Sequence, residues 1–588
     1  MLTIKEHITI NQLIEEFYAD EDNTEKCNEI ADELIKMYPE YNFGYILKLD
    51  LISKTDDNVA VKELLDQLIV KSSFNLSLTY PNELLNGKDQ EKETIFYTYL
   101  RSRAEYLRSN FDKKMNKTLF LKELFEIYDS LKDGDSLESV TKELITRDYN
   151  FLYIQRYFLG KDKEPHREKM NTYFKQYHDS MNEWNNTIEE KMEVFSRVFS
   201  EIKFNSASLK VSQIDDWDAH ANSYIPKLVK AQNKEKFYEL LVEMVNKVGD
   251  DHNNLSFPKD ITKKYINPGI WVIYIDGKYF VQFALTYGEI QIKVGDEIVK
   301  VKGIETSDYI EENKTKYPFV NNYFFLPEFS ALYKLSNKLL TYKKSETLSV
   351  EFKRTDGTSY FVEFSENIEK KEENISNPQD KLTSKMLDND ILLINIPAFR
   401  GNVYADFIDN VKEYDVDKIK GIIFDIRRNT GGNSGFGDSI FSHFISEEVK
   451  NYFMAYTKVH IPIHRFDGIE EMKLFDHVIL SPAKDLKIKC PVAVLTSPWT
   501  GSAAEGFVFL FKYYKRGKIV GLPTSGSTGN PLFTLLKGGG FLRVNLNISM
   551  FFTGKGIEPD IYVANTISDL IKGSDSQLNN AIEYLKNE

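Results

Sequence analysis

Residues 491–524 read PVAVLTSPWTGSAAEGFVFLFKYYKRGKIVGLPT, and this stretch decides the fold class of the last third of the chain. An apolar run with the pattern of a strand leads into a short turn, and small residues then open a helical segment. A second apolar run follows at KIVGLPT, residues 518–524. Strands separated by helices are typical of a βαβ organisation, so the stretch predicts an α/β domain.

The alternation of strand and helix extends upstream to about residue 387. Two further apolar runs have the pattern of strands, and the segments after them have the pattern of helices: DILLINIPAF (390–399), VYADFIDNVKEY (403–414), KGIIFDIR (420–427) and GFGDSIFSHFI (435–445). We therefore expect an α/β core over residues 371–588, preceded by a polar, charged stretch that is typical of a linker.

The first 185 residues have a helical pattern throughout. Ile30 and Leu34 lie at helical spacing, Pro39 ends that helix, and another helix begins near Phe43. Two helices joined by a short turn predict one tetratricopeptide-like hairpin within this N-terminal domain. We expect it to be a helical scaffold, and binding of a protein partner is an alternative.

The helical pattern continues through residues 186–256 and changes near Pro258. The stretch LSVEFKRTDGTSYFVEF, residues 348–364, has two alternating runs joined at an Asp-Gly pair, which predicts a β-hairpin. We therefore expect a helical segment over residues 186–256 and a small β-rich domain over residues 257–370.

Composition and charge narrow the classes of function. The chain has 588 residues, of which 42% are hydrophobic and 28% charged, as is typical of a multidomain globular protein. The net charge of −14 argues against broad, non-specific binding of nucleic acid. Cys27 and Cys490 are far apart and have no nearby Cys/His pairs, so we expect neither a disulfide framework nor a metal site, and no cofactor.

The first residues do not resemble an export signal. The stretch MLTIKEHITINQLIEEF carries Glu6, Glu15 and Glu16 where a secretory signal has an apolar core. No stretch approaches the roughly 20 apolar residues of a membrane span. The sequence therefore predicts a cytoplasmic protein with no membrane partner.

Ser502 is the candidate nucleophile, because the turn before GSAAEGF places it at a helix N-terminus. Unpaired N–H groups and the helix dipole favour negative charge there. The N–H of Ala503 could hold the oxyanion formed when a serine attacks a carbonyl, and Gly431 or Gly432, after a buried strand, could supply a second donor. A helix N-cap and a tight turn are the purely structural alternatives.

Charged residues occur in two further segments near the predicted strands. The turn in FFTGKGIEPDIYV, residues 551–563, presents one carboxylate, Glu558, between glycine and proline. A solvated surface turn is the alternative for Glu558. Asp425 and Arg427 are expected to form structural hydrogen bonds at the end of their strand.

The sequences of these segments, and their order in the chain, resemble those of the tail-specific (C-terminal processing) serine peptidase family, which includes the tricorn core protease. The segments that carry the resemblance are WDAHANSYIPKLVKAQNKEKFYELLVEMVNKVGDDHNNL (217–255), GDEIVKVKG (295–303), DIRRNTGG (425–432), TGSAAE (500–505), VGLPTSGSTG (520–529) and KGIEPDIYV (555–563). The resemblance covers about residues 186–570. It implies a PDZ-like β domain, a crotonase-like (Clp-protease-like) α/β core, hydrolysis of peptide bonds and Ser502 as the nucleophile.

One departure from that family bears on the mechanism. Many members use a serine–lysine dyad, but the matching turn here reads GLPTSGSTGN, with Ser527 at the position of the lysine. The tricorn-like branch uses a histidine and a glutamate instead. Similarity to that branch implies His252 as the general base and Glu558 as the carboxylate that orients it, directly or through a hydroxyl. His220 is the rival base.

Two functions of different classes follow. The first is a serine-type peptidase that hydrolyses a peptide or protein substrate through Ser502, His252 and Glu558. The alternative is a catalytically silent peptide- or ligand-binding protein on the same fold. It is motivated by the missing lysine and by a retinoid-binding branch of the family, whereas the retained TGSAAE segment and His252 favour the peptidase.

Overall fold

The computed structural model of the chain divides into two compact units, Met1–Tyr177 and His178–Glu588. The residues that it describes are 4–19, 23–55, 57–71, 90–110, 117–146, 167–212, 214–283, 286–287, 290–313, 328–366, 370–371, 381–451, 456–459, 471–474, 478–527, 529–549 and 553–588. Among these residues, no helix has both the length and the apolar character needed to cross a membrane.

The first unit consists of helices in its described part. They are α1 (Ile4–Ala19), α2 (Thr24–Met37), α3 (Phe43–Ile52), α4 (Asn58–Leu68), α5 (Gln90–Asn110), α6 (Lys117–Ser130), α7 (Gly134–Thr146) and α8 (Arg167–Asn182), which crosses the boundary between the units. Helices α1 to α3 enclose one apolar cluster, and α3 to α8 enclose a second. The predicted helix end before Pro39 and the predicted start near Phe43 are confirmed.

The second unit begins with helices that support the α/β core. They are α9 (Ile188–Asn205), α10 (Trp217–Asn222), α11 (Ile225–Val229) and α12 (Lys234–Asn246). Their apolar cluster also includes Leu542 and Val544 from the last third of the chain. The observed boundary at Tyr177 lies before the predicted one at residue 185 because Trp184 packs against Phe237 of α12, with ring centroids 5.1 Å apart.

The next part of the second unit is rich in strands, and we call residues 265–371 the β-rich region. Its elements and the two that precede it are β1 (Asn254–Ser256), α13 (Lys259–Thr262), β2 (Tyr265–Ile266), β3 (Trp271–Ile275), β4 (Lys278–Phe283), β5 (Thr286–Tyr287), β6 (Ile290–Gln291), β7 (Glu297–Val301), β8 (Ile304–Glu305), α14 (Thr306–Asn313), α15 (Glu328–Leu335), β9 (Tyr342–Lys343), β10 (Leu348–Lys353), β11 (Ser359–Phe364) and β12 (Lys370–Lys371). An antiparallel sheet in the order β11-β10-β7-β4-β3 forms its centre. The predicted hairpin is confirmed, since Leu348 pairs with Phe364 and Lys353 with Ser359.

The last part of the chain is the α/β core. Its elements are β13 (Thr383–Leu387), β14 (Ile391–Asn395), α16 (Val403–Lys412), β15 (Gly421–Asp425), α17 (Ser434–Phe441), β16 (Val449–Asn451), β17 (Tyr456–Val459), β18 (Glu471–Leu474), β19 (Val478–Leu480), β20 (Val492–Thr496), α18 (Ala503–Tyr513), β21 (Lys518–Gly521), β22 (Pro531–Leu535), β23 (Phe541–Asn545), β24 (Asn547–Ile548), β25 (Ile561–Tyr562), α19 (Ile567–Lys572) and α20 (Ser576–Asn587). Each strand and helix predicted between residues 390 and 521 is confirmed.

The main sheet of the core has the order β13-β14-β15-β20-β21-β25. Within this sheet, β14, β15, β20, β21 and β25 run parallel, and β13 is antiparallel at the edge. Helices α16 to α18 cover one face and α20 covers the other. Because β15 and β20 are parallel neighbours, the turns after their carboxyl ends lie side by side, which is where open α/β sheets carry their sites.

Candidate active site

Ser502 lies in the turn that joins β20 to α18, directly before the first residue of the helix. Its backbone has φ 56 and ψ −123, a conformation that costs a residue with a side chain about 1–3 kcal/mol. The surrounding hydrogen bonds hold it there, because its N–H donates to the carbonyl of Ser527 at 2.8 Å. Its hydroxyl is half-buried and remains partly open to solvent.

The turn before Ser502 is fixed to the turn after β15. The hydroxyl of Thr500 donates to the carbonyl of Ile426 at 3.0 Å, and the N–H of Gly501 donates to the carbonyl of Asn429 at 3.1 Å. Arg427 is held by Asp425 and Asp575, so the predicted structural role of Asp425 and Arg427 is confirmed. These bonds fix the two strand ends around Ser502.

His252 lies between α12 and β1 and is only 3% exposed. Its Nε2 lies 3.2 Å from Oγ of Ser502, and its Nδ1 lies 2.7 Å from Oγ of Ser527. The rival His220 is on α10, where its Nε2 lies 3.1 Å from the carbonyl of Met244. The structure therefore brings His252 to Ser502, whereas His220 contacts a backbone carbonyl of α12.

Ser527 and Asp251 extend this chain of contacts. The hydroxyl of Ser527 donates to Oδ2 of Asp251 at 3.3 Å, so the Nδ1–H of His252 can donate to Oγ of Ser527. With Nδ1 protonated, Nε2 is left as an acceptor for the hydroxyl of Ser502. All donors then point from Ser502 towards Asp251. His252 thus has the tautomer that a general base requires.

Asp250 holds the backbone of His252. Its Oδ1 accepts from the N–H of His252 at 2.8 Å. Its Oδ2 accepts from Nδ2 of Asn545 at 2.7 Å and from the hydroxyl of Ser208. The histidine is thereby fixed to α/β-core strand β23 and to the segment after α9, although these are distant in sequence.

Glu505, on the first turn of α18, supports the loop that carries Ser527. Oε1 accepts from the hydroxyl of Thr524 at 2.6 Å and from the N–H of Gly526 at 2.7 Å. Oε2 accepts from the N–H groups of Ser527 at 3.0 Å and Ser502 at 3.2 Å. Burial raises the pKa of Glu505 to about 7, and the donated hydrogen bonds oppose that rise.

Burial and two nearby cations favour the neutral form of His252. Burial lowers the pKa of His252 to about 3, with a further decrease from the positive charge of Arg543. Desolvation raises the pKa of Asp251, but the charges of Lys334 and Arg543 and the hydrogen bond from Ser527 hold that pKa below its usual value. The site therefore combines a neutral imidazole with an ionised carboxylate one hydroxyl away.

The hydrogen bonds of the structure bear on one of the three predicted oxyanion donors. The N–H of Gly431 donates to Oδ1 of Asn429 at 2.9 Å, so the prediction of Gly431 as a free donor is wrong. A Cβ at Gly431 would lie 2.7 Å from Cβ of Ser502 and 2.9 Å from the nitrogen of Ala503. Glycine at this position thus keeps the N–H of Ala503 uncovered, and the roles of Gly432 and Ala503 stay predictions.

Glu558 is exposed, whereas His252 is buried. The backbone carbonyl of Glu558 accepts from Nζ of Lys512 at 2.7 Å. Nδ1 of His252, which the orienting carboxylate was predicted to contact, lies against Ser527 instead. The segment that contains Glu558 has a structural role. The N–H of Ile557 donates to the hydroxyl of Thr524 at 2.7 Å and thereby supports the loop of Ser527.

Sequence reasoning missed Asp251, Glu505 and the contact role of Ser527. Ser527 had one signal, since it occupies the position of the lysine in the related dyads. Asp251 was visible only as a neighbour of His252. Among the described residues, no group of three or more His, Cys, Asp or Glu side chains is arranged to hold a metal ion.

Comparisons with known proteins agree with the fold. Residues 390–563 match peptidase family S41. A probable CtpA-like serine protease of Staphylococcus aureus is 25% identical over 178 residues, which are 29% of this chain and 33% of the relative. The chain thus spans about a third of the length of the curated relatives that it matches.

Solved structures extend the similarity of the fold. Mature CPAF complexed with lactacystin superposes with a TM-score of 0.52 at 14% identity, over 68% of this chain and 97% of that one. Mature CPAF alone gives a TM-score of 0.51 at 14% identity, over 68% and 96%. At this identity the likeness concerns the fold. The α/β part of the chain, residues 390–563, is therefore similar in sequence to peptidase family S41.

Proposed function

We propose that the chain is a serine-type peptidase in which Ser502 is the nucleophile and His252 the general base. The observation that carries the proposal is the double contact of His252, with Nε2 3.2 Å from Oγ of Ser502 and Nδ1 2.7 Å from Oγ of Ser527. A nucleophile, its base and a group that orients the base are the parts that serine hydrolases share. The match to peptidase family S41 gives the substrate class, a peptide or protein.

The proposed reaction follows the acyl-enzyme route. His252 takes the proton of Ser502 while Oγ attacks the carbonyl carbon of the scissile bond. The resulting imidazolium returns that proton to the leaving amine, which departs as the acyl-enzyme forms. Water then loses a proton to His252 and attacks the ester, and transfer of that proton back to Ser502 releases the acid product.

Ser527 and Asp251 orient the base in this proposal. The imidazolium formed during the reaction is stabilised by Asp251 through the hydroxyl of Ser527, which spans the two groups. We give Ser527 and Asp251 the role that the sequence assigned to Glu558. The N–H groups of Ala503 and Gly432 are the proposed oxyanion donors.

The remaining parts of the chain take proposed roles around this centre. The β-rich region is proposed to be PDZ-like, and the α/β core crotonase-like. The first unit is a candidate surface for a protein partner. A cytoplasmic location remains the expectation from the sequence. The catalytically silent alternative is less favoured because a buried, oriented histidine contacts the serine.

Labelling with a fluorophosphonate tests the proposal. Activated serines form a covalent phosphonate ester with this reagent, and mass spectrometry of the digested protein identifies the labelled residue. We expect the label on Ser502, with labelling lost in Ser502→Ala and reduced in His252→Ala. A folded sample that takes no label at Ser502 between about pH 5 and 9 contradicts the proposal. That result would favour the catalytically silent binding protein.

The pH dependence of labelling supplies a second prediction. The pKa of His252 is lowered to about 3, so the base stays neutral well below the ordinary histidine range. We therefore expect the labelling rate at about pH 5 to lie within a few-fold of the rate at pH 7. An acid limb with an apparent pKa near the unperturbed value of about 6.5 contradicts the prediction.

The same shift affects stability, which the experiment must control. Between the ordinary pKa of histidine and about 3, the unfolded chain binds a proton at His252 that the folded chain excludes. This group therefore stabilises the fold above the unfolded-state pKa, and that stabilisation is lost as the pH falls towards the folded-state pKa. Circular dichroism at each pH separates unfolding from titration of the base.

A further inference from the structure

Lys334 is a buried cation that the proposed mechanism does not use. It lies on α15 of the β-rich region, and only 5% of its surface is exposed. Its Nζ donates to Oγ of Ser525 at 2.6 Å and lies 3.6 Å from Oδ2 of Asp251. Burying an ammonium group is costly, so these contacts must offset that cost.

The two contacts reach both halves of the catalytic pair. Asp251 accepts from Ser527, which contacts the base, and Asp251 is the residue before His252. Ser525 lies against the turn of the nucleophile, because its N–H donates to the carbonyl of Thr500 at 2.8 Å. One ammonium group therefore joins the aspartate beside the base to the turn that carries Ser502.

The charge balance around this cation favours an electrostatic role. Asp251 and Asp250 come from the loop after α12, Glu505 comes from α18, and Arg543 comes from β23. The charge of Lys334 lowers the pKa of Asp251 and Glu505 and also that of His252. Without Lys334, Arg543 is left as the cation that lowers the pKa of Asp251. The pKa of Asp251 would then rise, and its carboxylate would be ionised less readily.

We propose that Lys334 is a positioning residue of the Ser502–His252 pair, a cation supplied by the β-rich region that holds the Asp251 carboxylate and the Ser525 turn in place. The inference rests on the proposed function and adds a residue outside the family's matched segment, residues 390–563. It assigns the β-rich region a part in positioning the catalytic residues. Lys334 acts through Asp251 and Ser525 and touches neither reacting atom in this scheme.

The test compares Lys334→Met, Lys334→Arg and the control Lys338→Met in the full chain. The readout is the rate of fluorophosphonate labelling at Ser502 between about pH 3 and 9, resolved into probe binding and inactivation steps. We expect Lys334→Met to slow inactivation by about tenfold or more with little change in probe binding. Its acid limb should move to higher pH, because both Asp251 and His252 lose a neighbouring cation.

The controls separate positioning from a merely structural role. Lys334→Arg keeps the charge and should restore the wild-type position of the acid limb. Lys338, the control residue, lies in the short 3₁₀ helix after α15, and Lys338→Met should match wild type throughout. An acid limb that does not move in Lys334→Met, or an inactivation rate equal to that of Lys338→Met, overturns the inference.

A double variant covers the case in which Lys334→Met does not fold. Lys334→Met with Asp251→Asn removes both charges, so no unpaired ion remains to be buried. We expect its inactivation rate to lie within a few-fold of that of Asp251→Asn alone, because only the contact of Lys334 with Ser525 then remains to be lost. A further large loss in the double variant overturns the inference. Failure of the proposed function is distinct, since it appears as absent labelling in the wild type.

Discussion

Ser502→Ala is expected to remove peptidase activity almost completely while leaving the melting temperature near that of the wild type. Loss of a serine nucleophile lowers kcat by about a millionfold in a well-studied serine protease, and a similar loss is expected here. The half-buried hydroxyl contributes little packing, and alanine keeps the backbone N–H bond to Ser527. Hydrolysis of fluorescein-labelled casein and a thermal melt are the two measurements.

The backbone of Ser502 offers a sharper version of this experiment. Its φ of 56 is unfavourable for any residue with a Cβ and acceptable for glycine. Ser502→Gly should therefore be as inactive as Ser502→Ala and more stable than it by about 1 kcal/mol. An active Ser502→Gly, or hydrolysis at the wild-type rate in Ser502→Ala, contradicts the assignment of the nucleophile.

A matched serine variant distinguishes loss of the nucleophile from general damage. Ser442 lies just after α17 in the same core, where its hydroxyl donates to the carbonyl of Ser439 at 2.7 Å. Ser442→Ala should retain wild-type hydrolysis. A comparable loss in both variants would show that the core tolerates no serine replacement, and the result for Ser502 would then say nothing about chemistry.

The parallel sheet and the place of Ser502 follow from local patterns. Strand β20 is an unbroken apolar run and α18 begins at small residues, so their order along the chain predicts a turn that presents Ser502. The position of His252 was reachable only through resemblance to a family. Its burial depends on Asp250 and Asn545, and the sequence does not reveal contacts between residues so distant.

The partners of His252 illustrate what sequence reasoning cannot reach. Glu558 and Ser527 both lie in turns near the end of the core, and either turn could have faced the histidine. Glu505 decides between them, because its four accepted hydrogen bonds fold the Ser527 loop over the nucleophile. Which side chain faces inward is set by such tertiary bonds and not by the residue types alone.

The contacts of the oxyanion donors and of Lys334 could not be predicted from the sequence either. Two consecutive glycines predict accessible N–H groups, but the side chain of Asn429, two residues before Gly431, takes one of them. Lys334 lies in a region whose pattern predicts only a small β-rich domain. Its contacts with Asp251 and Ser525 join residues distant in the chain, which no local pattern encodes.

His252→Ala is expected to slow hydrolysis by about four to six orders of magnitude. Without the imidazole, the hydroxyl of Ser502 loses its acceptor at 3.2 Å, and Ser527 loses the group that it orients. The same variant should also be less stable, because it leaves a cavity beside the ionised Asp251. The rate of casein hydrolysis and the urea midpoint of unfolding measure the two effects separately.

Two comparison variants decide whether this loss belongs to the base. His220→Ala removes the rival histidine, whose ring packs on Trp217 and Tyr224, and it should retain hydrolysis within a few-fold of wild type after correction for stability. Ser527→Ala should fall between the two, because a base without its orienting hydroxyl still accepts a proton. If His220→Ala loses as much activity as His252→Ala while remaining folded, the base assignment is wrong. If Ser527→Ala is as active as wild type, Nδ1 of His252 is oriented by another group, and the relay to Asp251 carries no part of the catalysis.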